Sequence, residues 1–178
     1  VGTQFIFLSA TWPVGMEYLL WERFGFDNRK LTRVIRARST ARLEISIHVK
    51  KVEDDEVEAT VLDFLENVQT LKSNERGIIF CTTIADAQHY ASLLGIPCYH
   101  GQLTEQEKTV VFHNWIAGED EDGFPCQTVS ATGAMGQGVD FPGVRYVVHV
   151  QPPYTFTDYV QQMGRAGRDG KPAISILI

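Results

Sequence analysis

The sequence lacks the features that mark several common classes of protein. Its three cysteines, Cys81, Cys98 and Cys126, are far apart and form no CxxC pair, so neither a zinc site nor a disulfide framework is predicted. No apolar run approaches the length of a membrane span and no signal peptide is evident, so we expect no membrane partner. Scattered cysteines of this kind favour reduced thiols and an intracellular setting.

Two sequence motifs of nucleotide hydrolysis are also missing. The 178 residues contain no GxxxxGK[ST] phosphate loop and no Asp-Glu-Xaa-His box. This length suffices for one domain with a substantial core and for a short additional segment joined to it. Because the chain begins at Val1 and ends in an apolar run, we expect both ends to be cuts through a longer protein.

The charge is segregated along the chain. A formal net charge of −6 argues against a generic nucleic-acid-binding surface. Residues 23–51, however, contain nine basic and two acidic side chains, whereas residues 52–122 contain fifteen acidic and three basic ones. Two interpretations fit this pattern: the basic side chains form one basic face of the protein, or they are ordinary arginines and lysines on surface strands.

Short apolar segments alternate with amphipathic ones over most of the chain. Strands are predicted at residues 5–8, 34–36, 44–49, 77–81, 97–100, 126–131, 144–150 and 174–178. Helices are predicted at residues 14–24, 54–71, 83–94, 104–117 and 155–163. This alternation predicts an α/β fold with a mostly parallel sheet. Ligands of such sheets gather at the carboxyl ends of the strands.

The most informative segment is the run Gln-Gln-Met-Gly-Arg-Ala-Gly-Arg-Asp-Gly at residues 161–170. If the preceding helix continues through it, Gln161, Arg165 and Arg168 share one helical face. Gly164 and Gly167 beside them remove side-chain bulk and allow another backbone or a ligand to come close. Two arginine forks on such a surface suit a polyanion such as a triphosphate. A solvated basic helix end is the alternative interpretation.

A glycine-rich loop follows the strand predicted at residues 126–131. Gly133, Gly136 and Gly138 allow close backbone approach to a ligand, with N–H groups available for a phosphate. Asp140 is predicted to accept hydrogen bonds from a ribose or to pair with an arginine. The GxxGxG spacing disagrees with the GxGxxG of a dinucleotide loop. A flexible turn with Asp140 as a cap is the other interpretation.

Together these segments resemble the second RecA-like lobe of a superfamily two helicase. The Gly-Arg-Ala-Gly-Arg-Asp-Gly form at residues 164–170 resembles motif VI of the RecQ family. Further resemblances follow in the family's order: a loose Arg-Pro-Asn-Xaa-Arg element at 38–42, motif IV at 77–83, a Tyr-His-Ala-Gly-Leu element at 99–103 and motif V at 131–140. Upstream of these, Leu-Ser-Ala-Thr at 8–11 resembles motif III.

The resemblance implies a domain organisation and partners. Residues 1–30 are expected to be the tail of a first RecA-like lobe with a connecting helix, and residues 31–178 the second lobe, a RecA-like three-layer sandwich without its own phosphate loop. ATP with Mg²⁺ is expected to bind jointly with a first lobe that this chain lacks, and single-stranded or duplex DNA is the expected track, followed 3′ to 5′. The expected location is nuclear in a eukaryote and cytoplasmic otherwise.

The resemblance also implies roles for particular residues. Arg165 and Arg168 are expected to contact the ATP phosphates as arginine fingers, and Gln161 to help position them and the attacking water. Residues expected to line the nucleotide site are Gly136, Gly138, Asp140, Arg165 and Arg168. Residues expected to contact the DNA backbone are Thr83, His100, Thr132, Arg38 and Arg42. No metal ligand is predicted within the chain.

Two other functions remain open. A truncated lobe without activity of its own could act as a nucleic-acid-binding or interaction module, which the missing phosphate loop favours for this chain in isolation. The complete motif VI run instead favours descent from an active motor. The second alternative is the second lobe of an RNA helicase, because this lobe is shared widely among superfamily two motors.

Overall fold

The computed structural model describes residues 5–9, 12–25, 33–36, 41–68, 70–136 and 140–178 of the chain. The chain divides into two compact units, Val1–Ala41 and Arg42–Ile178. The assignment of residues 1–30 to a first lobe and of residues 31–178 to a second lobe stays a prediction. Of the segment that resembles motif III, Leu8 and Ser9 lie within the described residues.

Among its described residues, the first unit contains one α-helix. A 3-10 turn, Val14–Met16, leads into helix α1, Glu17–Phe24, as predicted. The strands predicted at residues 5–8 and 34–36 are wrong, because residues 5–9 and 33–36 have no regular secondary structure. Leu8 is 91% exposed and Ile35 is 80% exposed. An apolar segment forms a strand only when a neighbouring strand satisfies its backbone.

The second unit is built on a six-stranded sheet in which every pairing is parallel. Its strands are β1 Ile45–Val49, β2 Arg76–Phe80, β3 Cys98–Tyr99, β4 Thr128–Ala131, β5 Val144–His149 and β6 Ala173–Leu177. The strand order is β1-β6-β5-β2-β4-β3, so β2 lies between β5 and β4. The predicted α/β fold with a parallel sheet is confirmed.

Four α-helices of this unit connect the strands. They are α2 Val57–Asn67, α3 Ile84–Leu94, α4 Glu105–Ala117 and α5 Phe156–Met163. Short 3-10 turns at Asp54–Glu56 and Gly133–Gly136 precede α2 and follow β4. The predicted capping box is present at α4, where Thr104 and Glu107 each bond to the other's backbone N–H. Helix α2 ends at Asn67, earlier than predicted.

The helices cover both faces of the sheet and create two cores. Along β2, Ile78 and Phe80 pack into one core with Trp115 of α4. Ile79 packs into the other core with Val61 of α2 and other apolar side chains of α2 and α3. Successive strand residues point to opposite faces, so a central strand with both faces covered carries apolar side chains on both of them. The result is the predicted three-layer sandwich.

The parallel arrangement places the loops after β2, β3, β4 and β5 along one edge of the sheet. A pocket of about 240 Å³ opens there and is lined by residues that follow β2, β4 and β5. Such an edge is the usual ligand position in parallel α/β folds. Within the described part of the chain, no helix has the length and apolar character needed to span a membrane.

Candidate functional site

The segment that carries the two predicted arginine fingers is a turn. Helix α5 ends at Met163, residues 164–169 form turns, and Gly167 has φ 61°. A right-handed helix cannot continue through a positive φ. The prediction that Gln161, Arg165 and Arg168 share one helical face is therefore wrong. A side chain at Gly167 would also meet the Glu44 side chain at 3.0 Å, so this position requires glycine for two reasons.

Arg168 and Asp140 form an ion pair that joins this turn to the loop after β4. Arg168 Nη1 donates to Asp140 Oδ1 at 2.5 Å, and Arg168 Nε donates to the Gly164 carbonyl at 3.4 Å. Of the two partners predicted for Asp140, the structure shows the arginine. The Arg168 side chain is 31% exposed and that of Asp140 is 82% exposed, so solvent or a ligand can reach the pair.

Arg165 lies half-buried beside the same pair. Burial lowers the pKa of Arg165, the positive charge of Arg168 lowers it further, and the negative charge of Asp140 opposes both. The three charged groups are therefore close enough to influence one another. Two guanidiniums with one carboxylate leave an excess of positive charge, and a phosphate would relieve the repulsion between the arginines.

Arg42, predicted to contact nucleic acid, is bound to the turn itself. Its Nη1 donates to the Gly164 carbonyl at 3.1 Å and its Nη2 donates to the Ala166 carbonyl at 2.8 Å. Its Nε donates to the Glu44 carboxylate, and this hydrogen bond lowers the pKa of Glu44. Arg38, the other half of the predicted pair, lies outside the described residues.

A second arginine, which sequence reasoning missed, holds the far end of the turn. Arg145 Nη2 donates to Asp169 Oδ1 at 2.6 Å, and Arg145 Nη1 donates to the Pro172 carbonyl at 2.9 Å. Burial alone would raise the pKa of Asp169, but the hydrogen bonds from Arg145 and from the Lys171 backbone N–H lower it. No local sequence pattern indicates this pair, because its partners come from β5 and from the turn after α5.

Gln161 has a different setting from the arginines. It lines the pocket at the carboxyl ends of β2 and β5, together with Thr82, Gln151 and Gln162, whereas Arg165 and Arg168 do not line it. Thr82 Oγ1 donates to Gln151 Oε1 at 2.5 Å, which ties the loop after β2 to the loop after β5. Sequence reasoning also missed Gln151, whose only signal is its position directly after an apolar strand.

The other predicted nucleic-acid contacts lie at the carboxyl edge of the sheet. Thr83 caps α3, where its Oγ1 accepts from the Asp86 N–H at 3.1 Å. His100 is buried at the end of β3, and Thr132 is half-buried after β4. Their contact with a nucleic-acid backbone stays a prediction.

The two glycines predicted for the nucleotide site are only partly described. Gly136 is the last residue of the 3-10 turn Gly133–Gly136, and Gly138 lies outside the described residues. Their approach to a phosphate stays a prediction. Among the residues that the structure describes, no group of three or more histidine, cysteine, aspartate or glutamate side chains could hold a metal ion.

The parallel sheet, the two covered faces and the loops gathered at its carboxyl edge define a RecA-like α/β domain. Solved structures agree with this class. A DEAD box protein from Methanococcus jannaschii superposes with a TM-score of 0.63 at 24% identity, over 76% of this chain and 36% of that one. The DEAD-box helicase Mss116, bound to ssRNA and UDP-BeF, superposes with a TM-score of 0.61 at 24% identity, over 76% of this chain and 27% of that one.

The profile of the helicase conserved C-terminal domain matches residues 57–170, and the chain belongs to this family. The RecQ-like DNA helicase BLM of Xenopus laevis is 37% identical over 65% of this chain and 8% of that protein. The probable ATP-dependent DNA helicase RecS of Bacillus subtilis is 32% identical over 79% of this chain and 27% of that protein. The resemblance to the C-terminal lobe of RecQ-type helicases is thereby confirmed.

A relative of another type matches over a longer span. The ATP-dependent RNA helicase DBP3 of Lodderomyces elongisporus is 28% identical over 98% of this chain. The chain spans 8% to 32% of the length of its relatives BLM, RecS and DBP3, so it corresponds to one part of each of them.

Proposed function

We propose that this chain is the second motor lobe of an ATP-dependent, RecQ-type DNA helicase that moves 3′ to 5′. The observation that carries the proposal is the cluster that Arg165 and Arg168, on the turn after α5, form with Asp140 of the loop after β4, within a helicase C-terminal fold. The term parent protein is used below for the longer protein that would contain this chain and a first RecA-like lobe.

The arginines would act on the phosphates of ATP, whose hydrolysis supplies the energy for movement. Arg168 is exposed enough to keep Nη1 on Asp140 and to donate to a phosphate oxygen from Nη2. Arg165, half-buried and already repelled by Arg168, gains from any anion placed between them. Both guanidiniums then stabilise the charge that develops on the transferred phosphoryl group, which is the function of an arginine finger.

ATP and Mg²⁺ fit this chain only in part. The arginine pair suits the phosphates, but the described residues offer no cluster of carboxylates for the metal. The phosphate loop and the magnesium ligands would therefore come from the first lobe. This division of labour explains why a chain without a phosphate loop retains a complete motif VI.

The DNA would run along the carboxyl edge of the sheet. Thr83, His100 and Thr132 follow β2, β3 and β4 at this edge and are the proposed contacts. Hydroxyl and imidazole groups there would bind the phosphate backbone, so recognition would be largely independent of sequence. This function would serve DNA recombination and repair, in the nucleus of a eukaryote or in the cytoplasm of a bacterium.

An RNA track is the second candidate, and the 98% coverage of this chain by the RNA helicase DBP3 favours it. Unwinding assays with the parent protein distinguish the two. We expect a DNA duplex with a 3′ single-stranded tail to be opened, and duplexes of RNA or with a 5′ tail to be opened much more slowly. Preferential opening of RNA would assign the chain to the second candidate.

The arginine-finger assignment is tested by Arg168→Ala in the parent protein. We expect kcat for ATP hydrolysis to fall on the order of 10³-fold, the scale measured for arginine fingers, with little change in DNA affinity. Arg168→Lys should recover little activity, because an ammonium lacks the planar fork. If Arg168 only pairs with Asp140, lysine should serve nearly as well and any loss should appear in the melting temperature instead. A near-normal kcat in Arg168→Ala would refute the assignment.

A further inference from the structure

Arg42, for which a nucleic-acid contact was predicted, donates to two carbonyls of the turn after α5. We propose that Arg42 is a positioning residue, which holds the turn after α5 so that Arg165 and Arg168 point at the nucleotide phosphates. This inference rests on the proposed function, because it assigns work to Arg42 only if those two arginines act on ATP.

The contacts of Arg42 flank Arg165 on both sides. The two carbonyls that it binds, those of Gly164 and Ala166, belong to the residues directly before and after Arg165. Fixing both carbonyls fixes the orientation of the Arg165 Cα and therefore the direction in which its side chain leaves the backbone. Within the turn itself, the Arg165 and Ala166 N–H groups donate to the Gln162 and Met163 carbonyls at 3.1 and 3.0 Å. Arg42 adds the two contacts that tie these peptides to a part of the chain distant in sequence.

The same contacts reach Arg168. The Gly164 carbonyl accepts a hydrogen bond from Arg42 Nη1 and a second one from Arg168 Nε at 3.4 Å. Two arginines thus share one carbonyl oxygen, which has two lone pairs to offer. A displacement of Gly164 after loss of Arg42 would move the anchor of Arg168 as well as that of Arg165.

Arg42 is itself fixed to the edge of the sheet. Its carbonyl accepts from the Ile45 N–H at 3.1 Å at the start of β1, and Glu44 holds its Nε. The Glu44 carbonyl accepts from the Ala173 N–H of β6 at 2.9 Å. The guanidinium therefore connects the turn to two paired strands, β1 and β6.

The geometry requires an arginine. Three acceptors, two carbonyls and one carboxylate, surround a single planar group that donates from Nε, Nη1 and Nη2. A lysine ammonium is a compact donor on a flexible stem and cannot reproduce a planar fork. A phosphate contact would use only charge, so the Arg42→Lys variant separates the two roles.

The test compares Arg42→Ala and Arg42→Lys in the parent protein, well below the melting temperature of each. We expect Arg42→Ala to lower kcat about 10²-fold, the scale of a small misplacement of catalytic groups, with KM for ATP and DNA affinity within about twofold of wild type. Arg42→Lys should recover less than a tenth of the lost activity. Lys50→Ala, which removes an exposed charge just after β1, is the matched control and should leave kcat unchanged.

A double-mutant cycle with Arg168→Ala tests the mechanism directly. If Arg42 acts through the fingers, Arg42→Ala should have little further effect on kcat once Arg168 is gone, because residues that act as a unit are not additive. Additive losses would overturn the inference. The inference would also be overturned if Arg42→Ala weakened DNA binding, lowered the slope of log affinity against log salt concentration by about one, and Arg42→Lys restored the affinity. That combination is the behaviour of a phosphate contact.

The outcomes also separate this inference from the proposed function. A near-normal kcat in Arg168→Ala would overturn both. A slow Arg168→Ala enzyme combined with a near-normal kcat in Arg42→Ala would overturn only the positioning role. A loss in Arg42→Ala that is confined to the melting temperature, with normal kcat per folded molecule, would also overturn it.

Discussion

Arg145 and Asp169 form an ion pair of 2.6 Å that ties β5 to the turn carrying Arg165 and Arg168. The side chains are only 12% and 23% exposed, so water screens the pair poorly. Arg145 also donates to the Pro172 carbonyl at 2.9 Å, and its loss would remove that hydrogen bond as well. The pair is therefore expected to stabilise the fold more than an ordinary surface ion pair does.

We predict that Arg145→Ala lowers the free energy of unfolding of this chain by about 1–3 kcal/mol, the cost of unsatisfied, partly buried polar groups. Urea denaturation followed by circular dichroism measures this. Lys171→Ala is the matched control, because Lys171 Nζ approaches the same carboxylate at 3.8 Å but is 63% exposed. It should cost less than about 0.5 kcal/mol. Equal losses in the two variants would contradict the prediction.

The pair between Asp140 and Arg168 should behave in the opposite way. Because Asp140 is largely exposed, Asp140→Asn should change the free energy of unfolding by no more than about 1 kcal/mol. In the parent protein the same variant should lower kcat about tenfold or more, because Arg168 loses the partner that orients it. ATPase assays and urea denaturation measure the two effects. Asp122→Asn, at an exposed position between α4 and β4, is the charge control and should change neither.

Most of the fold could be predicted from the sequence because its signals are local. The capping residues Thr83, Thr104 and Thr155 bond to backbone a few residues away, so their spacing alone marks the start of each helix. The buried strands are recognisable because both of their faces are covered, so each contains adjacent apolar residues, as at 78–80 in β2 and 146–148 in β5. The strand prediction is wrong at residues 5–8, because an apolar sequence does not reveal whether a partner strand is present.

The site was less predictable because its geometry depends on contacts distant in sequence. Arg165 and Arg168 follow a segment that is amphipathic up to Met163, and the positive φ of Gly167 shows that the helix does not continue through them. Gly167 is held by a contact distant in sequence, because its N–H donates to the Val144 carbonyl at 2.9 Å. The contacts that Arg42 and Arg145 make with the turn also join residues that are far apart in the sequence.

The chain alone should hydrolyse no ATP. Arginine fingers stabilise a transition state only when nucleotide and metal are held opposite them, and the described residues offer no metal cluster. The measurement is magnesium-dependent phosphate release by the purified chain. Any trace of activity should be the same in the Arg168→Ala version, which would identify it as a contaminant. Turnover that co-purifies with the chain and disappears in Arg168→Ala would refute this prediction.

His149 should make the stability of the chain depend on pH. Its ring is fully buried, stacked on Phe80 with centroids 5.6 Å apart and close to Tyr159 at 4.9 Å. Burial lowers the pKa of His149 to about 4, and polar contacts with Gln162 and the Ile176 backbone oppose this only in part. The folded chain therefore holds this ring neutral over a range in which an unfolded histidine, with a pKa near 6.5, takes up a proton.

The sign of the effect follows from proton uptake. Between about pH 6.5 and pH 4 the unfolded state binds a proton at His149 that the folded state does not bind. The free energy of unfolding is therefore unaffected by His149 above pH 6.5 and decreases as the pH falls below it, by up to about 3 kcal/mol. His149→Phe keeps a ring against Phe80 and should remove this part of the pH dependence, whereas His113→Gln, at an exposed position of α4, should retain it. Urea denaturation from pH 4 to pH 7.5 measures the difference between each variant and the wild type, and an NMR titration of the His149 ring measures its pKa directly. A ring that titrates near pH 6.5 in the folded chain, or an unchanged pH dependence in His149→Phe, would contradict the prediction.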